Sequence, residues 1–312
     1  MKIAFVGEAM IELSQSATDR DAVNLSPAGD VYNTAVYLKR LAGSKADISF
    51  CSAVGNDPYS DRIVEFLEHE EIATDEIRRD EARNCGLYAI ATDESGERSF
   101  YYWRDRSAAR TLFETDCETA TLEMFDAVFL SGITLAILGD DARTRLMEKL
   151  ESLQKRTGLQ VIFDSNYRPR LWPDTDAARY WTAHAWAMAD IALPSLDDEM
   201  DLFGEQSESE VILRFRSYGV RAGALKRGGK GAISLGEETA AIEPPTVMDV
   251  VDTTAAGDSF NAGFLAGILF GRDAAGSIGL AQQTAAQVIR FKGAIVPRPD
   301  WDRLVAEKAF EI

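Results

Sequence analysis

The sequence predicts an α/β fold in three layers, with a mostly parallel central sheet, helices on both of its faces and a small β lid. Three observations lead there. From Ala127 onward, short apolar runs alternate with amphipathic helical stretches, the signature of strand–helix–strand crossovers in a parallel sheet. Two β-type runs, Leu87–Thr92 and Arg98–Arg104, flank the polar loop Asp93–Glu97 and read as a hairpin outside that alternation. No repeat, low-complexity tract or linker interrupts the chain, so residues 1–312 are expected as one domain, with lid segments near 9–25 and 87–104.

Taken in order, Lys2–Val6 is a buried-type strand, too short an apolar run for a signal peptide. Ala9–Leu25 lacks helical periodicity and reads as extended. Ala28-Gly29-Asp30 opens a helix from about Val31 to Leu41, with Tyr32, Ala35, Val36 and Leu38 inward. A strand at Ile48–Val54 and a helix at Tyr59–Glu70 follow. In the hairpin, a period of two puts Phe100, Tyr102 and Arg104 on one face and Tyr101 and Trp103 on the other. Later strands fall at Ala127–Ser131, Gln160–Asp164, Asp190–Leu193 and Ala222–Lys226, with helices at Asp141–Thr157, Asp176–Met188 and Glu208–Tyr218. Val247–Val251 reads as a short strand before a long small-residue helix, and two more helices, Ala274–Phe291 and Asp300–Glu307, close the chain.

Composition narrows the function. The net charge is −18 over 312 residues, which disfavours nucleic acid and anionic membrane as partners. No stretch approaches the roughly 20 apolar residues of a membrane span. The cysteines Cys51, Cys85 and Cys117 are odd in number and widely spaced, as free thiols in a reducing cytoplasm would be. Two histidines, His69 and His184, make histidine-built metal sites improbable. No Gly-x-x-x-x-Gly-Lys-Ser/Thr and no Gly-x-Gly-x-x-Gly occurs, against P-loop and dinucleotide-binding folds.

The chemistry concentrates in Asp252–Gly267, Asp-Thr-Thr-Ala-Ala-Gly-Asp-Ser-Phe-Asn-Ala-Gly-Phe-Leu-Ala-Gly. A turn of small residues before a helix N-terminus leaves backbone N–H groups free and favours negative charge. Ala255, Ala256 and Gly257 let a phosphate approach the backbone closely, and Asp258 stands beside it on the first turn. On its own, Asp258 would read as a helix cap.

This stretch resembles the signature of the ribokinase-like (phosphofructokinase B) sugar kinases, Asp-Thr-Thr-Gly-Ala-Gly-Asp-x-Phe, with Ala255 in place of the first glycine. The resemblance implies that Asp258 is the base for the sugar hydroxyl and that Ala255, Ala256 and Gly257 supply an anion hole. Ala28-Gly29-Asp30 and Asn33 resemble the family's Gly-Gly-x-x-x-Asn segment, which implies sugar contacts for Gly29, Asp30 and Asn33. Lys226-Arg227-Gly228-Gly229-Lys230-Gly231 resembles the nucleotide-side Lys-x-Gly-x-x-Gly. With Asn166, Arg168 and Ser195, the residues Lys226, Gly228 and Gly231 are the implied ATP contacts, alongside Ala255 and Gly257. Ser195 to Glu199 resembles an Asn-x-x-x-Glu segment whose Glu orders magnesium through water, so ATP and Mg2+ are the expected cofactors.

Within the family, Gly7–Ser14, Tyr101–Arg104 and Phe163–Trp172 look like the 2-keto-3-deoxygluconate kinases. That likeness implies a sugar-acid site of Tyr88, Tyr102, Arg104 and Arg168. A carboxylate calls for arginine forks where a neutral sugar does not. The alternatives are a neutral-sugar or nucleoside kinase of the same family, and a catalytically dead sugar sensor on the same fold. The aromatic lid suggests a homo-oligomer, a dimer or larger.

Overall fold

The computed structural model describes residues 1–15, 22–92, 98–236, 240–307 and 309–310; the hairpin loop Asp93–Glu97 and residues 16–21 of the first lid segment lie outside them. The first half of the chain gives β1 (Lys2–Val6), β2 (Met10–Gln15), β3 (Val23–Ala28), α1 (Asp30–Ala42), β4 (Asp47–Gly55), α2 (Pro58–His69), β5 (Ile77–Asp80), β6 (Gly86–Thr92), β7 (Arg98–Trp103), α3 (Asp116–Ala120), β8 (Ala127–Ser131), α4 (Gly132–Ile137) and α5 (Asp140–Thr157). The second half gives β9 (Gln160–Asp164), α6 (Thr175–Met188), β10 (Ile191–Leu193), α7 (Leu196–Phe203), α8 (Glu208–Tyr218), β11 (Ala222–Lys226), β12 (Ala232–Leu235), β13 (Ala241–Ile242), α9 (Ala256–Leu269), α10 (Ala274–Val288) and α11 (Arg298–Ala306).

Nine strands form the large sheet in the order β13-β12-β11-β10-β9-β8-β1-β4-β5. The pairings from β11 through β5 are parallel, while β12 and β13 join antiparallel at one edge. Because side chains alternate along a strand, both faces of β1 are apolar. Ile3 and Phe5 pack with residues of α1, α9, α10 and α11. Ala4 and Val6 pack on the other side with α5, α6 and α8. The small sheet, β3-β2-β6-β7, takes in the two segments expected to form a lid; β2 pairs antiparallel with β3 and parallel with β6.

Local chemistry fixes the helix starts. Asp57 caps α2, accepting from the amides of Tyr59 and Ser60 at 3.0 Å each, with Pro58 in the first turn. Helix α9 lies against α10 almost backbone to backbone. A Cβ on Gly263 would come within 2.6 Å of the Ala281 Cα, and one on Gly267 within 2.6 Å of the Ser277 Cα. No helix among the described residues is long and apolar enough to cross a membrane.

One expected strand is absent. Val247–Val251 is irregular and largely exposed, because Pro244 and Pro245 just before it remove the donors a strand start would need. The edge strands β5 and β13, the neighbouring β12 and the short helix α4 were not foreseen. The layer architecture and every parallel strand from β8 to β11 stand where the alternation puts them.

Candidate active site

The carboxyl ends of β8, β9 and β11 deliver Ser131, Asp164 and Lys226, and the N-termini of α1 and α9 come in above them. Asp252 braces the turn before α9, accepting from the amide of Thr254 at 2.9 Å and from that of Gly293 at 2.8 Å. Ala255 then takes a left-handed conformation, φ 60°, ψ 16°, which costs a residue with a Cβ about 1–2 kcal/mol. That is the position where the family signature has glycine. The amide of Ala256 is used by the Thr253 carbonyl at 3.2 Å, whereas those of Ala255, Gly257 and Asp258 have no acceptor among the described residues. Open space faces Gly257, where an added Cβ would meet only Lys226 Nζ, at 4.0 Å. Free donors at the positive end of a helix can hold an anion.

Asp258 is half-buried on the first turn of α9. Asn33 Nδ2 donates to its Oδ2 at 2.8 Å. Burial, reinforced by the nearby Asp30 and Asp164 carboxylates, pushes its pKa up to about 8, against the lowering effects of Asn33 and Lys226. A carboxyl group with that value is a competent base near neutral pH.

On the α1 side, Gly29 is the residue before the helix, and a Cβ there would come within 2.5 Å of the Glu8 carbonyl oxygen. Asp30 Oδ2 accepts from Ser131 Oγ and from Asn166 Nδ2, the latter at 2.7 Å. Asn166 has a left-handed φ of 29°. The resemblance implies an ATP contact for Asn166, and its side-chain amide reaches Asp30. In the lid, the rings of Tyr88, Phe100 and Tyr102 stand together, with Tyr88 and Tyr102 centroids 5.7 Å apart. The Tyr88 hydroxyl donates to Glu12, and burial raises the Tyr88 pKa far above its ordinary value. Arg104, 5% exposed, forms a buried ion pair with Glu8. Arg168 is half exposed and lies 3.7 Å from Asp198. The two arginines keep separate acidic partners.

On the other side of Gly257 opens a cleft of 830 Å³ lined by Lys226, Gly228, Gly231, Val247, Val250, Ala256 and Phe260, among others. Gly228 and Gly231 have positive φ, and a Cβ on Gly231 would come within 2.2 Å of the Ile242 carbonyl oxygen. Ser195 precedes α7, its amide donating to Ser165 Oγ at 2.9 Å.

Glu199 departs from expectation. Its carboxylate is wholly enclosed, taking hydrogen bonds from Trp186 Nε1 at 3.2 Å and Arg214 Nη2 at 3.0 Å, and burial pushes its pKa up to about 8. It joins α6, α7 and α8 and has no surface to offer a metal-bound water. The preceding residue, Asp198, is the acid that faces the site, accepting from Ser165 Oγ at 3.3 Å and the Tyr167 amide at 3.2 Å, near Lys226 and Asp164. A one-residue offset separates them, and a single sequence carries no signal to choose between neighbouring acids at a helix start. Asp164, Asn261 and Ser131 were also missed; each reads as an ordinary strand-end or helix residue until the fold brings it in.

Comparison with known proteins agrees with this geometry. The chain is 42% identical over 303 residues to the 2-dehydro-3-deoxygluconokinase of Dickeya dadantii, covering 95% of this chain and 96% of that protein. It is 39% identical over 305 residues to the enzyme of the same name from Escherichia coli K12, covering 95% and 97%. Among solved structures, the fructokinase of Vibrio cholerae O395 with fructose, ADP and calcium bound superposes with a TM-score of 0.82 at 22% identity, over 97% of this chain and 98% of that one. The pattern of the pfkB family carbohydrate kinases matches residues 1–301. The chain therefore belongs to the pfkB family of carbohydrate kinases.

Proposed function

We propose that the chain is an ATP-dependent 2-dehydro-3-deoxygluconokinase, transferring the terminal phosphoryl group of ATP to the 6-hydroxyl of 2-keto-3-deoxygluconate. The observation that carries the chemistry is Asp258, its carboxylate oriented by Asn33 beside free amides at a helix N-terminus. Asp258 takes the hydroxyl proton as the oxygen attacks. The amides of Gly257 and its neighbours hold the phosphoryl oxygens in line. Positioning and electrostatics supply most of the rate in such a transfer.

Substrate class rests on the relatives named 2-dehydro-3-deoxygluconokinase at 37–42% identity, and on arginines at the sugar side. Gly29, Asp30 and Asn33 take the sugar hydroxyls; Tyr88, Tyr102, Arg104 and Arg168 take the acid end. ATP lies in the cleft along Lys226, Gly228 and Gly231, with Ser195 at its margin. Among the described residues no cluster of three acids could hold a metal alone. The donors present suit Mg2+ that would be bound mainly by phosphate oxygens, with Asp198 as the side chain that would help hold it. Bound that way, Mg2+ offsets phosphate charge. The lid also exposes Tyr101 (55%) and Trp103 (62%) on one face, which supports a homo-oligomer that covers them.

A coupled assay of ADP release across 2-keto-3-deoxygluconate, its C4 epimer, fructose, ribose and nucleosides tests the reading. Turnover concentrated on a sugar acid is expected; preference for a neutral sugar overturns the substrate assignment and leaves the kinase assignment standing.

A further inference from the structure

Three buried side chains behind the anion hole make a closed triangle. Lys226, the last residue of β11, donates from Nζ to Asp164 Oδ1 at 2.7 Å and to Asn261 Oδ1 at 3.0 Å. Asn261 Nδ2 donates to Asp164 Oδ2 at 2.9 Å. Strand β10, which lies between β9 and β11, is only three residues long, so the lysine reaches over its end to the aspartate. Asn261 is fully buried, and the Lys226 and Asp164 side chains are nearly so. Both ends of the Asn261 amide are committed, so its orientation is fixed. An ammonium group has three N–H donors. Two are used here, and the third has no partner among the described residues. Nζ stands 4.0 Å from the place a Cβ on Gly257 would occupy, on the open side of the turn.

We propose that Asp164 and Asn261 are positioning residues that hold Lys226 with its remaining N–H aimed at the phosphoryl group under transfer, making Lys226 a catalytic residue. The inference rests on the reading of the Ala255–Asp258 turn as the transfer site. A salt bridge that only tied β9 to β11 would have no use for Asn261, which belongs to the helix that carries Asp258. Nor would it need an ammonium with a donor to spare beside the anion hole. Charge develops on the phosphoryl oxygens during transfer, and a fixed donor directed there acts with no reorganisation.

The test uses the full-length enzyme and the variants Lys226→Met, Asn261→Ala, Lys226→Met/Asn261→Ala and Lys226→Met/Asp164→Asn. The expected loss for Lys226→Met is about a hundredfold in kcat, the scale for one such donor. Its Kd for ADP, which lacks the transferred group, stays within about threefold in calorimetry. Asn261→Ala lowers kcat about tenfold in the wild-type background and less than twofold in the Lys226→Met background, because residues that act as a unit lose their effect together. Lys226→Met strands a buried carboxylate; Lys226→Met/Asp164→Asn removes it, should restore melting temperature and should keep the low kcat. Lys226→Met with kcat within threefold of wild type overturns the proposal, as does an equal proportional loss from Asn261→Ala in both backgrounds. Failure of the underlying reading looks different: Asp258→Asn would then keep wild-type kcat whatever the lysine variants do.

Discussion

Arg104 Nη2 donates to Glu8 Oε2 in an ion pair that joins the end of the last lid strand to the residue just beyond β1. Gly86 makes room for it, since a Cβ there would press to 2.7 Å against Glu8 Oε1. The proposed contact with the acid would thus be a second part for Arg104, beside joining the small sheet to the core. Arg104→Ala should raise the KM for the sugar acid roughly ten- to a hundredfold, from the loss of charge-assisted hydrogen bonds. It should also lower stability by about 3–5 kcal/mol, because Glu8 is left buried and unpaired. The two readouts separate the parts. A fall in melting temperature with unchanged sugar-acid KM reduces Arg104 to a brace, and the carboxylate assignment then passes to Arg168.

Asp258→Asn should lower kcat by at least about a hundredfold, the usual scale for a general base. A base at Asp258 would work ionised, and burial pushes the pKa of this carboxyl up to about 8, so on the proposed role kcat/KM should climb with pH below about 8 and level off above. After burial, the largest raising influence is the Asp30 charge on α1, with Asp164 on β9 adding to it; Asn33 on α1 and Lys226 on β11 oppose. Asp30→Asn should accordingly move the rising limb to lower pH while reducing its height. A limb that stays in place would detach Asp258 from the profile. The stability sign runs with this. The folded pKa lies above the unfolded value of about 3.9, so the stabilising effect of the bound proton is lost as pH rises through about 8. At pH 9, Asp258→Asn should melt no lower than wild type.

Gly257→Val should abolish turnover with little change in melting temperature. The glycine faces open space and has no positive φ, so the added methyls enter the phosphate path and not the core. A melting temperature that drops by ten degrees or more would make the loss structural.

Glu199→Gln should shift melting temperature and leave the Mg2+ concentration for half-maximal rate unchanged, since the carboxylate sees Trp186 and Arg214 and no solvent. Asp198→Asn should do the reverse, raising the Mg2+ requirement several-fold at nearly constant stability. Equal Mg2+ curves for wild type and Asp198→Asn would leave the metal to the phosphates alone.

What the sequence disclosed and what it withheld divide along physical lines. The turn at Ala255–Asp258 was legible because phosphate binding demands small residues and free amides in a fixed local order. The strands β8 to β11 were legible because burial on both faces forces apolar runs. The Glu8–Arg104 and Lys226–Asp164–Asn261 contacts were not, because their members lie 96, 62 and 35 residues apart and no local pattern links them. The strand expected at Val247–Val251 is absent because Pro244 and Pro245 precede it, and its β-branched Val247 and Val250 line the 830 Å³ cleft and not a sheet.

The glycines that let α9 lie on α10 have a mechanical result. With Cα atoms of the partner helix where side chains would otherwise be, α9 cannot slide or roll without collision, and Asp258 rides on it. The turn before α9 and the residues of its first helical turn are thereby anchored to the core. The four-stranded sheet that bears Tyr88 and Tyr102 is tied to that core through the chain segments that hold Glu8 and Arg104. Substitutions that fill those glycines should therefore displace Asp258 and leave the four-stranded sheet where it is.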